Sequence, residues 1–100
     1  MWLRWTKVVG IDNFLRAFFL IFRLMNKRDK EDDVYLKRLG QRIKAVRKEK
    51  GIKQVDLGYK CDLDKSNMNR IEAGNTNPSV LLLKKISEEL GVPLYDLLYF

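Results

Sequence analysis

One hundred residues fit one small domain, and 20 Lys and Arg against 13 Asp and Glu leave a formal charge of +7, which favours anionic partners. With no histidine and one cysteine, Cys61, the sequence excludes a Ser-His-Asp triad, a Cys-His pair, a zinc site of ordinary ligand count and an internal disulfide. No enzyme activity, metal or cofactor is expected, and an unpaired thiol fits a reducing compartment such as the cytoplasm.

The chain changes character at Asn26–Asp33, where NKRDKEDD interrupts the apolar pattern with charges expected to form a solvated linker. Residues 1–33 read as an amphipathic extension with that linker, and residues 34–100 as the main domain. The positive charge concentrates in residues 34–78, which hold 11 basic and 5 acidic residues.

Within the extension, Phe14, Leu15, Phe18, Phe19, Phe22 and Met25 recur at helical spacing, widened by Ala17, Leu20, Ile21 and Leu24. The longest uncharged run, Ala17 to Phe22, lies between Arg16 and Arg23 and is too short to span a bilayer. No small-residue cleavage site precedes Asn26-Lys27-Arg28, so export is not expected either. Three roles stay open for residues 11–25: docking on the chain's own domain, a sister subunit or a protein partner; lying in a membrane surface with Trp2 and Trp5 as anchors; or standing upstream of a natural start near Met25.

Leu36, Leu39, Ile43 and Val46 predict a first helix of the main domain over about 35–50, ended by Gly51. Gln54 to Cys61 follows, with Leu57 and Cys61 one turn apart, and stops at Asp62, a residue type that tolerates left-handed backbone. Asp64 takes an N-cap position, Met68 and Ile71 carry the apolar face of a third helix, and Gly74 ends it. Ser79 caps a fourth helix with Leu82, Leu83, Ile86 and Leu90, closed by Gly91, and Pro93 opens a short fifth with Leu94, Leu97 and Leu98. No stretch alternates with period two, so the fold class is all-α, with helices too short to stand without packing on one another.

The run from Gln54 to Gly74 resembles the helix-turn-helix of the phage-repressor-like (Cro/C1, XRE) family. The likeness extends from Leu36 to Leu98, through L-G-x-R-I-K-x-x-R at Leu39–Arg47, N-x-N-P-S at Asn75–Ser79 and L-G-V-x-x-x-x-L at Leu90–Leu97. It implies a five-helix lambda-repressor-like domain, here with an extra N-terminal amphipathic helix. The implied function is a sequence-specific DNA-binding transcriptional regulator, a small repressor or controller. As a homodimer on a palindromic operator of double-stranded DNA, it reads the major groove with the third of the five helices, about 64–73. The alternative is an antitoxin-like or membrane-tethered interaction protein that uses the N-terminal helix.

The resemblance assigns base reading to Lys65, Ser66, Asn69 and Arg70, and phosphate contact to Gln54 and Arg42. Lys53 stands where a capping residue is usual and is expected to exchange the cap for a phosphate contact, while Asn75 and Asn77 are expected to bring backbone amides to phosphate. Arg47 and Glu72 match a family pair that bridges two helices as an internal ion pair. Gly58 replaces a usual Ala where two helices touch, Asp62 replaces a usual Gly, and Asp64 suits either a helix cap or a cytosine amino group. Cys61 is expected in the core. The dimer contact is expected at the last helix, through Leu94, Leu97, Leu98, Tyr99 and Phe100.

Overall fold

The computed structural model describes residues 10–26 and 29–100, which form six helices: α1 (Ile11–Asn26), α2 (Lys30–Glu49), α3 (Gln54–Lys60), α4 (Lys65–Glu72), α5 (Val80–Leu90) and α6 (Leu94–Leu97). There is no strand among the described residues. Trp2, Trp5, Lys27, Arg28 and the side chains of Arg23, Leu24 and Met25 lie outside what is described.

α2 begins five residues before the first position that apolar spacing predicts. The Asp29 carboxylate accepts from the Asp32 N–H at 2.9 Å, and Glu31, Asp32 and Asp33 set three more carboxylates in the first turn, at the positive end of the helix dipole. From Asp29 onward the charged run is therefore a helix cap and first turn rather than a linker, although its charges up to Asp32 are exposed to solvent as expected. The acidic residues that break the apolar pattern are the ones that start the helix.

The stripes expected to be apolar meet in one core of Leu36, Leu39, Ile43, Val46, Leu57, Cys61, Met68, Ile71, Leu83, Ile86, Leu90 and Leu97. Its five fully buried large side chains are Ile43, Leu57, Met68, Ile86 and Leu97. Each of α2 to α6 supplies one of them, so these five helices share one core, at about 1.5–3 kcal/mol per buried side chain. Two close approaches position α4 against α2. A Cβ on Gly40 would strike the backbone carbonyls of Ile71 and Glu72, and one on Gly74, at φ +76, would meet the Lys37 backbone. Arg42 ties α2 to α6 by donating its Nε–H to the Asp96 carbonyl at 2.7 Å.

Two of the residues expected at a dimer contact belong to the chain's own core. Leu97 is fully buried and Leu94 half-buried, which leaves Leu98, Tyr99 and Phe100, with Tyr95, as the exposed apolar end. Phe100 is not isolated there. Its ring tilts against Tyr35 at 5.0 Å between centroids, and the Arg38 guanidinium lies 5.4 Å from its centre.

Candidate nucleic-acid interface

The corner between α3 and α4 is made by backbone geometry. After α3, Asp62 takes φ 57, the Asp62 N–H donates to the Tyr59 carbonyl at 3.2 Å and the Leu63 N–H to the Gly58 carbonyl at 2.8 Å. This is the left-handed helix stop that glycine ordinarily makes, here carried by an aspartate at some cost in strain. Two residues later the Asp64 carboxylate accepts from the Asn67 N–H at 2.7 Å and caps α4. Asp64 thus fills the cap role through Oδ1.

Inside the corner, Gly58 lets the helices touch, since a Cβ there would stand 3.3 Å from the Met68 Cβ. Cys61 closes the end of α3 in the core. Burial, and after it the Glu89 carboxylate, pushes its thiol above the ordinary range, so it stays protonated. α4 buries Met68, Ile71 and Glu72. Lys65, Ser66, Asn69 and Arg70 are all exposed, and helical spacing sets them as one row opposite that buried face.

A charged joint runs beneath this row. The buried Arg47 guanidinium donates its Nε–H to Glu72 Oε2 at 2.6 Å, Nη2 to Oε1 at 3.1 Å and Nη1 to the Ile52 carbonyl at 2.8 Å. Gln54, at the first position of α3, joins the same carboxylate through Nε2 at 2.9 Å, and the same nitrogen stands 3.5 Å from Asn69 Oδ1. Its amide therefore faces inward, with one hydrogen fixed on Glu72 and the second only loosely held. Lys53 is exposed, and it makes no side-chain cap at the start of α3.

Beyond α4, the Asn75 N–H donates to the Arg70 carbonyl at 2.9 Å, so this backbone amide is used within the chain rather than held for phosphate as expected, and the chain turns into an open loop where Asn75 and Asn77 are exposed. Asn67, Thr76, Asn77 and Ser79 line a shallow groove of about 180 Å³ over Leu63 and Leu82. Spacing along the sequence overlooks Asn67, whose position beside Ser66 on α4 is the signal for it. It also overlooks Gly40, where a glycine inside a long helix is itself a sign of a close neighbour. No group of three His, Cys, Asp or Glu side chains able to hold a metal occurs among the described residues.

A helix-turn-helix family model matches residues 43–97, more than half of the chain. The chain is 44% identical over 61 residues to the HTH-type transcriptional regulator SinR of Bacillus subtilis, a match covering 60% of this chain and 55% of SinR, so it spans about half of that relative. It is 39% identical over 62 residues to the control protein C.BamHI of Bacillus amyloliquefaciens, covering 61% of this chain and 76% of that one. Among solved structures, the restriction-modification controller protein C.AhdI of Aeromonas hydrophila superimposes with a TM-score of 0.60 at 31% identity, over 62% of this chain and 94% of C.AhdI. The corner at Asp62, the joint at Glu72 and these matches make the chain a member of the XRE-type helix-turn-helix family.

Proposed function

We propose that the chain is a sequence-specific DNA-binding transcriptional regulator, a small repressor or controller that reads the major groove with α4. The observation that carries this is the exposed row Lys65, Ser66, Asn69 and Arg70, set opposite a buried face and anchored to α2 and α3. An α-helix with its side chains is about 10–12 Å across, and a major groove about 12 Å wide accepts it. Arg70 and Lys65 suit the O6 and N7 acceptors of guanine, Asn69 suits the N6 and N7 edge of adenine, and Ser66 adapts to either. Lys53, the Asn75 side chain and Asn77 meet phosphates at the ends of the corner, and Gln54 joins them through its loosely held amide hydrogen. Arg42 serves first as a strut to α6 and offers the rest of its guanidinium to the backbone.

Reading a palindromic operator requires a homodimer. The exposed Tyr95, Leu98, Tyr99 and Phe100 supply an apolar end for it, and two copies of α4 then meet half-sites about 34 Å apart. Chromosomal DNA as the partner puts the chain in the cytoplasm, and binding without catalysis is its role.

Selection of genomic fragments by the full-length chain at physiological salt tests the reading, with Arg70→Ala and Lys53→Ala beside it. One short palindrome is expected. Arg70→Ala costs about 1–3 kcal/mol on that site and relaxes one base position, whereas Lys53→Ala weakens all sequences alike and lowers the salt slope by about one. Failure to enrich any site overturns the function, and an unchanged sequence preference in Arg70→Ala overturns the assignment of the reader.

A further inference from the structure

α1 presents an apolar surface that the rest of the described chain leaves open. Leu15, Phe18, Phe19, Leu20, Ile21 and Phe22 are between 44% and 65% exposed, and α1 has no substantial packing against α2–α6. The Phe18 and Phe22 rings stack at 6.3 Å, and Phe19 meets Phe18 edge-on at 6.1 Å, so the aromatic side chains form one patch. Arg16, also exposed, lies across the helix from Phe18 by helical spacing.

Charge decides what covers such a face. Residues 1–28 hold six basic residues, Arg4, Lys7, Arg16, Arg23, Lys27 and Arg28, against Asp12 alone, a formal +5. Two copies of this segment laid side by side repel, whereas a bilayer rich in anionic headgroups attracts it. α1 is 16 residues long, and no helix among the described residues is long and apolar enough to cross a membrane, which leaves the plane of the surface. The sequence ahead of α1 adds Trp2 and Trp5, a residue type enriched at that boundary.

We propose that α1 is an in-plane membrane helix: its phenylalanine face enters the boundary between headgroups and acyl chains of an anionic bilayer, while Arg16 meets the headgroup phosphates and the other basic residues of the segment add to the attraction through their charge. The inference is independent of the DNA-binding reading, since it uses no residue of α2–α6.

Sedimentation of the full-length chain with phosphatidylcholine vesicles, with and without phosphatidylglycerol, tests it. Binding is expected only with phosphatidylglycerol, weakened by added salt, and reduced about fivefold by Arg16→Gln. The double variant Phe18→Glu/Phe22→Glu should stay in the supernatant with its helix content and molar mass unchanged. Absence of binding to both vesicles overturns the proposal. Binding retained by the phenylalanine variant also overturns it, because adsorption then rests on charge alone. A fall in the molar mass of the free chain on that substitution does so as well, because a second copy then covers the face.

Discussion

Removing Glu72 tests the joint that holds α4 to α2 and α3. Glu72→Ala takes hydrogen bonds of 2.6 Å and 3.1 Å from Arg47 and one of 2.9 Å from Gln54. It leaves a guanidinium whose side chain is 9% exposed with only the Ile52 carbonyl as a partner. Half-buried Gln54 can turn to water, but Arg47 cannot. Deleting one member of a buried pair costs about 3–5 kcal/mol, because the other charge stays uncompensated. A domain of this size loses about 4–8 °C per kcal/mol, so its melting temperature should fall by about 20 °C. The double variant Arg47→Met/Glu72→Leu removes both charges and fills the space with apolar groups, and it should lie within about 1 kcal/mol of the parent. Thermal and urea melts of the parent, Arg47→Met, Glu72→Leu and the double, at one protein concentration and beside Glu72→Ala, give the coupling energy directly. A Glu72→Ala loss under about 1 kcal/mol, or a double variant as unstable as Glu72→Ala, refutes the account and assigns the contribution of Glu72 to packing rather than to neutralising Arg47.

Gly40→Ala drives a methyl group into the backbone carbonyls of Ile71 and Glu72, which have no rotamer to change, and should lower stability by about 2–3 kcal/mol in urea. Gly58→Ala, whose nearest neighbours stand at 3.2 Å and 3.3 Å, should cost less because helix propensity offsets part of it; equal losses at the two sites would contradict the difference in contact. Asp62→Gly should raise stability by about 1 kcal/mol by relieving the left-handed aspartate at φ 57, and a melting temperature that falls instead would show that the aspartate side chain stabilises the turn. The Cys61 thiol should react with iodoacetamide only when the chain is unfolded. Its folded pKa is raised, so folding favours the protonated thiol: that contribution is complete below the unfolded value of about 8.5 and declines as pH rises past it. Stability between pH 8 and 10 should therefore fall more steeply in the parent than in Cys61→Ala, and parallel profiles would remove the thiol as the cause.

The five packed helices were legible because their signals are local. Leu36, Leu39, Ile43 and Val46 announce a buried stripe by spacing, and Asp64, Ser79, Gly74 and Gly91 mark boundaries by cap chemistry. The start of α2 was not legible from an apolar repeat, since Asp29 and the acidic first turn carry no repeat at all. The polar row on α4 follows from knowing which side Met68 and Ile71 bury. The inward hold on Gln54 does not, because its partner Glu72 is eighteen positions away, and nothing local marks the bond from Arg42 to Asp96, fifty-four positions apart. Phe100 resting on Tyr35 and Arg38 is hidden for the same reason: only tertiary packing brings the two ends of the main domain together.

The grip on α4 at Gly40 and Gly74 is a grip on backbone. A helix seated in that way keeps its depth and direction whatever side chains stand on its outer face, because none of them sets its distance from α2. Lys65, Ser66, Asn69 and Arg70 contribute nothing to the core, and exposed substitutions of this kind usually move stability by less than about 0.5 kcal/mol. If the outer row reads DNA as proposed, specificity and folding are written in separate positions of one short helix. A lineage can exchange the outer row and acquire a new target while the scaffold that presents it stays intact.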